Sequence, residues 1–153
     1  MTVTLETPRR ATAGAGALQA TLTELIELAL QGKHAHWNVV GPLFKPVHEA
    51  LDELVDAYRE WYDDVAERLV AIGIAPDGRT ATIAAAAPLE PLPAGAIDDR
   101  AVVAAFAARV GAVADRVRQR AASMDNDLAS QDLLIEILRG LDKQAWMLRA
   151  QLA

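Results

Sequence analysis

The chain of 153 residues contains no cysteine, which excludes disulfides, zinc–thiolate centres and cysteine nucleophiles together. Any metal it holds must therefore sit among imidazoles and carboxylates. Aromatic residues make up only 5% of the sequence, so the core has to be built from aliphatic side chains. No apolar run approaches the roughly 18 residues that span a bilayer, and Met1 to Ala17 lacks the continuous apolar stretch of a secretory leader. A soluble, cytoplasmic protein with no membrane partner is expected. Basic charge is scarce as well. Fifteen Lys and Arg against 21 Asp and Glu leave a formal charge of −6, which repels a phosphate backbone unless a local basic segment overrides the average.

What is present is rich in Ala and Leu, with 52% hydrophobic residues in a length suited to one domain. Leu18, Leu22, Leu25 and Ala29, continuing to His36, recur at steps of three and four and predict a helix from after Gly16 to about Val39. Gly41-Pro42 breaks the pattern, and Pro46 suits the first turn of a second helix, where a missing amide donor costs little. Val47, Leu51, Leu54, Tyr58, Trp61, Val65, Leu69 and Ile72 carry that helix to the stop at Gly73 and Pro76. Ile74 to Ile97, interrupted by Pro76, Pro88, Pro91 and Pro93, reads as a long connection in which Thr82-Ile83-Ala84 can form a short helix. Asp98-Asp99 can cap a third helix reaching about Ala122, and Leu133, Leu134, Ile137, Leu138, Leu141, Ala145 and Leu148 mark a fourth. Short first and last links around a long middle crossover predict an all-α, ferritin-like four-helix bundle over residues 17–153, behind a flexible N-terminal tail, 1–16.

The second helix carries two polar pairs at i, i+4: His48 with Asp52, and Asp63 with Glu67. At about 100° per residue all four fall within a sector of about 100°, well away from the apolar stripe. Along the axis, however, Asp52 and Asp63 are separated by about 16 Å, whereas a metal and its ligands are about 2 Å apart. One helix cannot close such a site. The 48/67 and 52/63 pairs share one midpoint, between Ala57 and Tyr58. An antiparallel second copy crossing there would set His48 and Asp52 against Asp63 and Glu67 of its partner, giving two identical sites about a two-fold axis. His36, at the end of the first helix, is placed to add a second imidazole. The alternative is that these residues form an ordinary solvated face. Imidazole and carboxylate without thiolate suit iron, manganese or zinc.

The run His36-Trp37-Asn38-x-x-Gly41-x-x-Phe44-x-x-x-His48-x-x-x-Asp52, followed by Asp63-x-x-x-Glu67-Arg68, resembles the signature of the Dps family. The match continues through Gly73 and Pro76, and Leu141-Asp142-Lys143 with Trp146 is similar to the family's last helix. The resemblance implies a homo-oligomer of twelve subunits built from two-fold dimers. In it, a di-nuclear iron site shared between two subunits oxidises ferrous iron, preferentially with hydrogen peroxide, and ferric mineral is stored inside the shell. His36, His48 and Asp52 would come from one subunit, with Glu67 and Asp63 from the other. Trp37, next to the first ligand, would supply an electron or absorb a radical, or else serve as a core or dimer aromatic, and Lys33 would tune the site. Asp127 and Asp132 would line a cation pore at a three-fold axis, with local helix capping as the alternative for Asp125 and Asp127. His34 falls on another helix face and is expected to be exposed and outside the site.

Two other readings compete. A nucleoid-associated, DNA-protecting shell is the first, and it predicts DNA condensation independent of iron. Against it, Arg9 and Arg10 face Glu6 in the N-terminal segment and no basic tail follows Ala153, so DNA binding is expected to be weak or absent. The second is a module that sequesters zinc or manganese without turnover, which the same ligands permit. An intra-subunit ferritin site would need Glu-x-x-His, and the sequence contains no such motif.

Overall fold

The computed structural model describes residues 11–153, with the backbone alone for 11–13. Helices α1 (Ala11–Asn38), α2 (Phe44–Ala71), α3 (Thr80–Ala86), α4 (Asp99–Ala122) and α5 (Leu128–Ala150) follow in order, with two short strands, β1 (Val39–Val40) and β2 (Ile97–Asp98). This is the expected all-α, ferritin-like bundle: α1 pairs with α2, α4 pairs with α5, and α3 lies inside the crossover with Ile83 buried. Among the described residues, no helix is long and apolar enough to cross a membrane.

The first helix starts earlier than its periodicity suggested. Residues 11–16, expected in the tail, are already helical in α1, while 1–10 lie outside the described residues. Glycine in a helix interior costs about 1 kcal/mol relative to alanine, which is why Gly14 and Gly16 read as a break. Tertiary contact overrides that cost: Ala15 and Leu18 are buried, and Gly14 lies under Met124 of the α4–α5 link.

The α1–α2 pair is held close at one point. A Cβ on Gly32 would stand 2.5 Å from Cγ2 of Val55, so the absence of a side chain lets the two helices approach beside Lys33 and His36. Val55 is fully buried there, a core position that the predicted stripe assigned to its neighbour Leu54, which is only half-buried.

The turn between α1 and α2 is clamped from the far side of the bundle. Asp98 alone caps α4, accepting from the Ala101 amide at 3.1 Å. Asp99, expected to share that task, is instead buried and accepts the Leu43 amide at 2.5 Å. Gly41 has φ of +132°, and a Cβ there would collide with the Asp99 carboxylate, so both backbone and packing require glycine. The parallel pairing of β1 with β2, Val39 opposite Ile97 and Val40 opposite Asp98, seals the same corner.

A buried charge lies deeper in the α1–α4 seam. Glu24, with 1% exposure, accepts from Arg120 at 2.7 Å and pairs with Arg116, so the carboxylate is fully compensated where it is dehydrated. Its position among leucines held no sequence signal for this role, because its partners come more than ninety residues later.

Candidate metal centre

His36 closes α1 and His48 opens α2, on either side of the clamped turn. Their rings stack with centroids 3.6 Å apart and planes 18° from parallel. His36 Nδ1 donates to the His48 carbonyl at 2.8 Å, and His48 Nδ1 donates to the His36 carbonyl at 2.8 Å. A carbonyl can only accept, so both hydrogens reside on Nδ1 and both Nε2 atoms keep their lone pairs. Among the described residues, neither Nε2 has a hydrogen-bond partner. The backbone thus fixes two imidazoles in the tautomer that a metal ligand needs. Phe44 leans on His48 with ring centroids 5.0 Å apart and limits its movement on one side.

Asp52, one turn after His48, joins them: its Oδ1 lies 3.4 Å from His36 Nδ1 and 2.6 Å from the Lys33 ammonium. The hydrogen bond from Lys33 outweighs partial burial and, with the charge of that ammonium, holds the Asp52 carboxyl below its ordinary range. Three of the five predicted ligands are therefore neighbours within one protomer. The other two are not. Asp63 and Glu67 are exposed farther along α2, and the unbroken helix keeps Asp63 about 16 Å from Asp52 along its axis. Among the described residues, no group of three or more His, Asp or Glu side chains converges on a point where an ion could sit.

The surface between the two ligand groups is unlike an ordinary solvated face. Trp37 is 71% exposed and Leu30 58%, so Trp37 is not an aromatic of the protomer core. Beside them lies a depression of about 250 Å³, lined in part by Ile26, Lys33, Trp37, Arg59 and Tyr62. A second, of about 380 Å³, shares Ile26 and Tyr62 with the first and reaches Asp63 and Pro76.

His34 departs from its expected exposure. It is half-buried, with Nε2 2.9 Å from the Pro93 carbonyl, because the crossover folds back over α1 at that point. It lies on a different face from His36, bonded to the crossover. Asp127 takes the role given above as its alternative: it is the N-cap of α5, accepting from the Ser130 amide at 3.2 Å, and it pairs with Arg68 of α2 at 2.9 Å. Asp125 and Asp132 are exposed. The Lys33–Asp52 pair, the Asp99 clamp and the Gly32–Val55 contact join residues distant in sequence, and no local pattern announces them.

The Ferritin-like domain family matches residues 15–153. The chain is 41% identical over 135 residues to DNA protection during starvation protein 2 of Deinococcus radiodurans, covering 88% of this chain and 56% of that longer protein. It is 40% identical over 140 residues to the fine tangled pili major subunit of Haemophilus ducreyi, covering 90% of this chain and 74% of the relative. The structure of Dps from Microbacterium arborescens in its high iron form superposes with a TM-score of 0.90 at 36% identity, over 99% of both chains. A family match across nearly the whole chain, a shared fold and this level of identity lead to one conclusion: the chain belongs to the Dps family of ferritin-like proteins.

Proposed function

We propose that the protein is a ferroxidase that detoxifies and stores iron, with each oxidation site completed by a second copy of the chain. The observation that carries this reading is the imidazole pair. Two histidines from different helices are turned by reciprocal backbone hydrogen bonds so that both Nε2 lone pairs are free, with the Asp52 carboxylate 3.4 Å from His36 Nδ1. That donor set suits ferrous iron as a substrate. Asp63 and Glu67, on the same helix but too far to join, supply the missing carboxylates once an antiparallel partner crosses near Ala57 and Tyr58. The exposed Trp37 and Leu30, with the two depressions along α1 and α2, form the surface that such a partner would cover.

In the completed site, His36, His48 and Asp52 hold one ferrous ion while Glu67 of the second copy ligates or bridges and Asp63 binds directly or through water. Two ferrous ions each give one electron to hydrogen peroxide, which takes up two protons and leaves as two waters. Trp37, adjoining His36, is the residue positioned to supply an electron or take up a radical. Asp132, exposed near the start of α5, serves as the pore acid in the twelve-subunit shell. Asp127 is engaged by Arg68 and Ser130 and is less free to draw cations. Removing ferrous iron and peroxide together prevents hydroxyl radicals from forming, which accords with the name DNA protection during starvation protein carried by a relative. Direct contact with DNA is disfavoured by the net charge of −6.

The test is peroxide-dependent oxidation of ferrous iron, followed optically, in a His48→Ala, Asp52→Ala double variant. Initial oxidation is expected to collapse while the mass of the assembly in solution stays that of the wild type. Unchanged initial rates would remove the assigned site. Stoichiometric uptake of ferrous iron without peroxide consumption in the wild type would favour sequestration over turnover.

A further inference from the structure

We propose that Asp56 and Arg59 lock the register of the two-fold pair, each Arg59 seated against Asp56 of the second copy in a quartet of alternating charge between the two metal centres. The inference rests on the shared-site reading above and concerns what holds the two copies in line. Asp56 and Arg59 flank the same midpoint as the 48/67 and 52/63 pairs, between Ala57 and Tyr58. Taking His48 as zero, Asp56 stands at about 80° around α2 and Arg59 at about 20°, inside the sector of about 100° that holds the four candidate ligands. An antiparallel copy that brings Asp52 to Asp63 therefore brings Asp56 to Arg59 as well, once on each side of the axis.

Within one protomer the two side chains do little for each other. Arg59 Nη1 is 3.7 Å from Asp56 Oδ1, too long for a hydrogen bond, and the side chains are 51% and 73% exposed. Such an ion pair contributes little to the stability of a single chain. Arg59 also lines the depression shared with Leu30, Lys33, Trp37 and Tyr62, on the surface that a second copy would cover. It is the only lysine or arginine from His48 to Glu67, against eight acids. Two such helices laid face to face repel each other, and Arg59 is the group that turns part of that repulsion into attraction.

The same two charges discriminate against wrong pairings. A two-fold axis shifted to Asp56 would set that carboxylate against itself, and one shifted to Arg59 would oppose two guanidinium groups. A parallel pair in register would do both. The crossing between Ala57 and Tyr58 sets unlike charges together at both contacts, and it is also the crossing that closes the metal centres. Register matters to the chemistry because a slip of one residue moves the facing ligands by about 1.5 Å, comparable with a metal–ligand distance of about 2 Å.

Ferrous oxidation can be made to report the pairing. Asp56→Arg is placed in a full-length chain that also carries His48→Ala and Asp52→Ala, and Arg59→Asp in one that carries Asp63→Ala and Glu67→Ala. A pair of identical chains then holds no whole site, and a mixed pair holds one of two. Equal amounts are unfolded, reassembled together and assayed for initial peroxide-dependent oxidation, beside the same mixture without the charge changes. Random pairing in that control returns about a quarter of the wild-type rate. With the charge changes, each chain repels its own kind and attracts the other, and the rate is expected to approach about half. In chains with intact ligands, Asp56→Arg or Arg59→Asp alone should need about tenfold more protein to reach the wild-type assembly mass, and both together in one chain should restore it. Should either change cost helix content, Asp56→Lys and Arg59→Glu replace them. A charged mixture at about a quarter or below overturns the inference, as does a doubly changed chain that assembles no better than the single ones. No oxidation in the control mixture overturns the shared-site reading itself, a result distinguishable from failure of the charge lock alone.

Discussion

The sharpest consequence of the site's geometry is that two inactive proteins should restore each other. Let one carry His48→Ala with Asp52→Ala and the other Asp63→Ala with Glu67→Ala. About 16 Å of continuous helix separates the two ligand groups, so each variant alone lacks one half of every site. In a mixed two-fold dimer the losses fall together. One site combines both sets of mutations, and the other combines the intact His48 and Asp52 of one subunit with the intact Asp63 and Glu67 of its partner. If equal amounts are unfolded together and reassembled at random, half of the dimers are mixed and each has one whole site of two. About a quarter of the wild-type initial oxidation rate should therefore return. The assay is peroxide-dependent loss of ferrous iron, with the separately reassembled variants as controls and dimer composition checked by mass. A mixture as inactive as its components would mean that the ligands do not join across a dimer, and the reasoning from helix length would fail. Activity in the Asp63→Ala, Glu67→Ala protein by itself would show that His36, His48 and Asp52 suffice.

Three further outcomes follow from individual side chains. Tyr58 is fully buried and, among the described residues, its hydroxyl has no hydrogen-bond partner, with burial pushing its pKa up. Tyr58→Phe is therefore expected to hold or raise stability, by up to about 1 kcal/mol or a few degrees in thermal unfolding; a loss larger than about 1 kcal/mol would reveal a partner for the hydroxyl. Burial tends to raise the Asp127 pKa, but hydrogen bonds from Ser130 and the charge of Arg68 leave it lowered from 3.8. Its stabilising effect is thus present above that value and lost as pH falls through the lower native one. Asp127→Ala should cost about 1 kcal/mol at pH 7 and flatten the acid limb of a stability–pH curve, and an unchanged limb would refute this assignment. Asp132→Asn should slow iron uptake without changing assembly mass, as read by the lag between iron addition and mineral absorbance; equal lags would remove Asp132 from the entry path.

Much of this protein was legible in one dimension because helices are periodic. The spacing of Leu18, Leu22 and Leu25, and of Val47, Leu51 and Tyr58, marks faces that are indeed buried. The break at Gly41-Pro42 and the proline-studded crossover placed the connections, and with them the bundle. The two polar pairs on α2 proposed as ligands were legible for the same reason, since residues four apart share a face. Cancelling preferences blurred the boundaries: Gly14 and Gly16 looked like a break until the burial of Ala15 and Leu18 outweighed their cost.

Sequence alone settled the helical pattern, the available side-chain chemistry and the wide separation of the two polar pairs along one helix, because each depends on local spacing and residue type. Tertiary structure decided which nitrogen of His36 and His48 is free, that Lys33 holds Asp52, and that Asp99 clamps the turn while Asp98 caps the helix. Each of these depends on a partner from another element. Hydrogen bonds and ion pairs act over about 3 Å, and only folding brings residues tens of positions apart within that range.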